Sequence, residues 1–315
     1  MSRLFTGARH RTSGTLLALP VPEESDPAAS ILEQVNDLLL QGKVEEALQQ
    51  TDTALRINPQ SNDAQLLRTV ALAQSGKTEE AQKALTHLSR GASAAEDWRF
   101  GMVAAQVAED AGDLARAEEL YRSLIRLVPG ELPPRQKLAN LLLEAGRNDE
   151  AAQLYEQIAG ADPANVEAVL NWADSLARLG RTNDSILVLR RVGENAVRYV
   201  DAQTRMIELL LTRAAHDPQA LTMAAEALES LQGRTQNPRY QRLLGDWWFT
   251  AYQIGLEGRL SEIKSWPFIK EPNPSMDVIA EQARTAYRTY LRTAPHADDA
   301  DELLGRIHFG IKHLM

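Results

Sequence analysis

Two stretches decide the fold: GDLARAEELYRSLIRLVP at residues 112–129 and GRNDEAAQLYEQIAGADP at 146–163. Laid in register, both open on glycine and carry alanine five residues on (Ala117, Ala151). Tyr121 and Tyr155 come four residues later, Leu124 and Ile158 three after that, and Pro129 and Pro163 close the stretches. Steps of four and three keep the alanine, tyrosine and aliphatic side chains on one face of a helix. The alanine lets a neighbouring helix approach closely, and the larger residues fill the space beside it. Proline disfavours helix in the residue before it and so ends the segment.

The frame extends outward in both directions. Gly42, Gly76, Gly112, Gly146 and Gly180 recur at intervals of 34, 36, 34 and 34 residues. The outer copies carry Ala47, Ala81 and Ser185 at the small position, then Thr51, Leu85 and Leu189, then Ala54, Leu88 and Val192, with Pro59 closing the first. A glycine between two helical segments takes the left-handed turn at low cost. A constant period of this length means stacked helix pairs rather than one large core.

The array resembles the tetratricopeptide repeat, with its 34-residue helix–turn–helix and A-x3-F…P signature. The resemblance implies an all-α, right-handed α-solenoid of about seven helix pairs with a C-terminal capping helix. Five regular units are expected over 29–197. The family's first-helix Trp is missing from all five, Trp172 stands in a neighbouring slot, and the fifth unit has Ser185 and Val197 in place of Ala and Pro. Irregular units follow over 198–315. One is a helix pair joined by His216-Asp217-Pro218. The next starts near Pro238 and carries Leu244-Gly245-Asp246-Trp247-Trp248, close to the family's L-G-x2-Y. Its small residue is due at 257 but arrives at Ala283, 26 residues late. An insertion of about 257–275, containing Trp266-Pro267-Phe268, accounts for the delay. Residues 298–312 read as the cap that a solenoid end requires. The first 28 residues lack periodicity and read as a disordered arm. Its Arg3, Arg9 and Arg11 ahead of a short apolar run weakly imitate an export signal, but the run ends in Pro20 and Pro22.

Composition narrows the function classes. Of 315 residues, 44% are apolar and 24% charged, as in a soluble folded protein. The net charge of −9 argues against nucleic acid and anionic membranes as partners. The absence of cysteine excludes disulfides, thiolate metal sites and thiol catalysis. No apolar run reaches the roughly 20 residues of a membrane span. No catalytic, phosphate-binding or metal motif is present among the six histidines and the carboxylate clusters. Asp298, Asp299 and Asp301 lack the glycine and terminal Glu of a calcium loop. The expectation is therefore a non-enzyme without cofactor, placed in the cytoplasm or, alternatively, exported. Its partner is a protein, and self-association through edge helices suits such an array.

The resemblance implies that the first helices line a concave groove that holds a peptide or amphipathic helix. Carried over position by position, the groove comprises Leu32, Asn36, Leu66, Leu67, Val70, Met102, Val103, Gln106, Lys137, Asn140, Asn171 and Arg178. Leu32, Leu66, Leu67, Val70, Met102 and Val103 would form an exposed apolar strip, and such strips mark interaction sites. Over the whole first-helix face the resemblance marks out, seven acidic positions (Glu33, Asp63, Glu109, Asp110, Glu144, Glu167 and Asp174) stand against three basic ones (Arg99, Lys137 and Arg178), which suits a basic ligand. A second binding mode is a clamp for a terminal carboxylate built on Asn140, Asn171 and Arg205, although Gln136 and Asp201 stand where lysines are expected. The insertion has two readings. Its aromatics either pack it down on Trp247, Trp248, Phe249 and Tyr252, or present Trp266 and Phe268 as an anchor for a partner, as in a regulatory or assembly subunit of an enzyme complex.

Overall fold

The computed structural model describes residues 26–88, 98–269 and 274–312, with side chains as far as 306. Among these residues there are fifteen α-helices and no strand. The chain divides into two compact units, Met1–Ile158 and Ala159–Met315.

In the first unit α1 (Ala29–Leu40) pairs with α2 (Val44–Ile57), and α3 (Asn62–Gln74) with α4 (Thr78–Leu88). Then α5 (Trp98–Asp110) pairs with α6 (Leu114–Leu127), followed by α7 (Pro133–Glu144) and α8 (Asn148–Ala161), within which the unit boundary falls. The second unit contains α9 (Val166–Arg178) with α10 (Thr182–Leu189) and α11 (Tyr199–Ala214) with α12 (Gln219–Leu231). It ends with α13 (Arg239–Leu256), α14 (Met276–Thr293) and α15 (Ala300–Lys312). The helix pairs thus follow the 34-residue frame, and α15 occupies the expected capping position.

The turn inside each pair explains the glycine period. Gly112 has φ 79°. Its N–H donates to Glu109 O (2.9 Å), and the next residue, Asp113, donates to Ala108 O (2.8 Å). This bond pair caps the carbonyls that α5 leaves unsatisfied at its end. Asp113 then accepts from the Arg116 N–H (3.1 Å) and starts α6. Gly42, Gly76, Gly146 and Gly180 share the positive φ. The small residues Ala47, Ala81, Ala117, Ala151 and Ser185 are all buried.

Of the arm expected over 1–28, residues 1–25 lie outside the described residues. Asp26 and Ala28 belong to the first repeat. Ala28 is buried, and Asp26 accepts from Ser61 Oγ (2.6 Å), Asn58 Nδ2 (3.2 Å) and Ala28 N–H (2.9 Å). These bonds, that from Ser61 first, hold its carboxyl below the usual range.

The insertion packs as structure. Trp266 is 4% exposed, stacks on Trp248 (5.9 Å, 24°) and meets Trp247 edge-on (5.6 Å, 75°). Trp247 donates its indole N–H to Leu221 O (2.9 Å). Two backbone N–H groups fasten the segment to α12, Lys264 onto Thr222 Oγ1 (3.2 Å) and Phe268 onto Glu229 Oε1 (3.1 Å). Trp266 is therefore a core residue, not a partner anchor. An indole that finds two more indoles from α13 gains most by burial there. Phe268, two residues on, is 42% exposed with φ 62°.

Candidate functional site

The first-helix layer of the first unit corrects the expected apolar strip. Leu32, Leu66, Leu67, Val70 and Val103 lie in one core cluster, and Met102 is also buried. The reason is crowding. Helix α3 contacts α1, α2, α4 and α5, so several of its faces are covered. Apolar residues at those positions cement neighbouring repeats and offer nothing to a ligand. Asn36 stays half-buried on α1.

Polar residues take over further along α5 and α7. Between α3 and α5, the buried Asp63 pairs with Arg99 (3.2 Å). Between α5 and α7, Lys137 Nζ donates to Gln106 Oε1 (2.5 Å). Lys137 is 5% exposed. Burial lowers the pKa of its ammonium, against the pull of Glu109, Asp110 and Glu144. Gln106 Nε2 in turn donates to Asp110 Oδ1 (3.1 Å).

The second helices fix this row from behind. Tyr121 OH donates to Glu109 Oε2 (2.9 Å), and Tyr155 OH donates to Asn140 Oδ1 (2.6 Å). Burial first, and Glu109 second, push the Tyr121 hydroxyl far above its usual pKa, so it stays a donor. Asn140 Oδ1 also accepts from Gln136 Nε2 (3.1 Å). The Gln136 Oε1 atom is buried without a hydrogen-bond partner among the described residues. Asp110 and Glu144 are exposed and Glu109 is half-exposed. What this layer presents is thus Glu109, Asp110 and Asn140, each held by a neighbouring side chain, together with the exposed Glu144 and the buried cation Lys137. Such a row can accept hydrogen bonds and attract positive charge.

The second unit uses the same acid-to-base stitching between successive first helices. Asp174 on α9 pairs with Arg205 on α11. Glu208 on α11 meets Arg239 on α13 (3.0 Å), and Asp246 on α13 meets Arg306 on α15 (2.7 Å). Arg205 is therefore engaged with a carboxylate of its own chain, and Asn140 is held by Tyr155 and Gln136. Both bear against the carboxylate clamp, whose members carry other bonds. Asn171 is half-buried, and its backbone carbonyl accepts from Ser175 Oγ (2.8 Å); Arg178 is exposed at the end of α9.

The tyrosine struts were not anticipated, yet their signal was present. The large second-helix position is tyrosine in the third and fourth units and again at Tyr287, whose OH donates to Asp246 (2.8 Å). Leu85 and Leu189 fill the same slot in other copies. A phenol where leucine would pack equally well implies a polar partner for its hydroxyl. Among the described residues, no group of three or more His, Asp or Glu side chains is placed to hold a metal, and no helix is long and apolar enough to cross a membrane.

Comparison with known structures agrees on the fold. The C-terminal part of a TPR repeat-containing protein from Cytophaga hutchinsonii superposes with a TM-score of 0.61 at 14% identity, over 87% of this chain and 99% of that one. A thermophilic TPR protein of Thermus thermophilus (18% identity, 58% of this chain, 99% of that one) and PilF of Pseudomonas aeruginosa (16%, 68% and 95%) each give 0.46, too low to carry further argument. No curated protein matches by sequence. The sequence profile described as the protein kinase G tetratricopeptide repeat matches residues 9–298. With nearly the whole array inside that match, the chain belongs to the protein kinase G tetratricopeptide repeat family.

Proposed function

We propose that the chain is a non-catalytic protein-interaction module that holds a basic, extended segment of a protein partner along α5 and α7. The observation that carries this reading is the acceptor row Glu109, Asp110, Asn140 and Glu144, the first three held by Tyr121, Gln106 and Tyr155, with Lys137 buried beside them. Tyrosine struts hold two of these groups before any ligand arrives, so less ordering accompanies binding. The carboxylates favour Lys or Arg side chains and speed their approach. The groove is thus read as polar and acidic, in place of the apolar strip.

Selection from a random peptide library tests this, run in parallel on the wild type and on Asp110→Lys/Glu144→Lys. Enriched peptides rich in Lys and Arg, binding the reversed variant at least tenfold more weakly, are expected. Enrichment of acidic or uncharged apolar motifs, or equal binding to both proteins, would sink the reading.

One observation favours a second reading, an accessory role in an enzyme complex. Phe268 stands exposed on the packed insertion in a left-handed backbone conformation that non-glycine residues adopt only when their surroundings impose it. The family is named for a protein kinase, a natural candidate for such a complex. Loss of partner binding in Phe268→Ala, with the α5–α7 row intact, would move the site to the insertion.

A further inference from the structure

The segment ahead of the first repeat and the row on α5 and α7 carry opposite charge. Before Glu23 the only formally charged side chains are Arg3, Arg9 and Arg11, in a chain whose net charge is −9. The row holds three carboxylates, Glu109, Asp110 and Glu144, the last two exposed. Tyr121 and Gln106 orient the first two by neutral hydrogen bonds, which leave the carboxylate charge in place. The cation among them, Lys137, is buried and is outnumbered by the three carboxylates acting on it.

Asp26 fixes where the segment joins the first-helix layer. Its carboxylate accepts from the hydroxyl of Ser61, the N-cap of α3, so the chain leaves from the start of α1 and α3. Helix α1 packs on α3 and α3 on α5, and the Lys137–Gln106 hydrogen bond joins α5 to α7. Three helix-to-helix steps of about 8–10 Å each therefore lead from α1 to α7. The row lies near the far ends of α5 and α7, and the 13 residues of α5 add about 20 Å along the axis. Fifteen residues separate Arg11 from Asp26 and can span about 50 Å. The basic segment thus reaches the row of its own chain.

We propose that residues 3–11 dock in cis on the acceptor row, Arg9 and Arg11 pairing with Asp110 and Glu144, so that the chain's own arm competes with the partner. This rests on the row being a site for basic segments. In an extended segment Arg9 and Arg11 fall on one side, and each guanidinium suits a carboxylate better than an ammonium does. Tethering favours the arm over a second copy, because a short linker supplies an effective concentration on the order of mM.

Two measurements on the full chain test this. The chain has no cysteine, so Ser13→Cys carries a single nitroxide label. Relaxation broadening of backbone amides in 98–110 and 133–144 is expected, and its loss in Asp110→Lys/Glu144→Lys. A mixture of spin-labelled 14N chain and unlabelled 15N chain should show none of it. Second, a fluorescein-labelled synthetic peptide of residues 2–14 should bind Arg9→Glu/Arg11→Glu at least fivefold more tightly than the wild type, because the competing arm is disabled, and should not bind Asp110→Lys/Glu144→Lys. Broadening that survives the charge reversal, broadening that appears only in the mixture, or equal peptide affinity for wild type and Arg9→Glu/Arg11→Glu overturns the proposal. These results are separable from failure of the row itself: library peptides rich in Lys and Arg that still need Asp110 and Glu144, without broadening from the arm, would leave the row a partner site and remove the arm from it.

Discussion

Trp266→Ala removes an indole that is 4% exposed and shares its surface with Trp247 and Trp248. A buried aromatic side chain covers about 150–250 Å², and at about 25 cal/mol per Å² its loss costs about 4–6 kcal/mol. That figure is an upper bound, because the unfolded chain already hides part of the same surface. Substitutions of this type in other cores cost about 3–5 kcal/mol, and the expected loss here is about 4 kcal/mol. Two consequences follow from the geometry. The second unit loses stability, and Lys264 and Phe268 lose the anchoring of their N–H groups to α12. Urea unfolding followed by far-UV circular dichroism measures the first, and amide exchange over 257–269 measures the second. Phe268→Ala is the internal control. Its ring is 42% exposed, so the change should stay within about 0.5 kcal/mol. A loss below about 1 kcal/mol for Trp266→Ala, with unaltered exchange, would refute the packed insertion, since no buried indole is removed so cheaply.

Other substitutions probe separate parts of the architecture. A methyl group at Gly245 would meet the Tyr287 ring at 2.5 Å, so Gly245→Ala should cost about 1–3 kcal/mol in thermal unfolding. Tyr155→Phe leaves packing intact but removes the donor to Asn140, and should cost about 1 kcal/mol and weaken peptide binding. Lys137→Met orphans Gln106 Oε1 and should cost about 1–3 kcal/mol; adding Gln106→Leu should recover most of it. The lysine also sets a pH signature. Its folded pKa is lowered, so between that value and the unfolded value of about 10.4 the unfolded chain binds more protons and stability rises with pH. The difference between wild type and Lys137→Met should therefore grow through that window, and a flat difference would show that Lys137 is not desolvated.

Particular residues decide how much was legible in advance. The glycines at 42, 76, 112, 146 and 180 and the small residues after them announced the helix pairs, because a left-handed turn and a close helix contact each admit few residue types. The late Ala283 announced the insertion. Position along a helix did not reveal how deeply Leu66 and Val70 sink, since burial depends on how many neighbours α3 acquires rather than on its own periodicity. Nor did it reveal which acid meets which base. Asp63 with Arg99, and Asp174 with Arg205, are partners from successive repeats, and the 34-residue period brings them together only once the helices stack. The same holds for Trp266, whose surroundings come from α13.

The most direct test of the proposed interaction is amide hydrogen exchange of the full chain with and without a basic peptide taken from the library selection. The account predicts slowed exchange concentrated in 98–110 and 133–144, and no such protection in Asp110→Lys/Glu144→Lys. Protection confined to the second helices or to 257–269, equally strong in the charge-reversed protein, would contradict it.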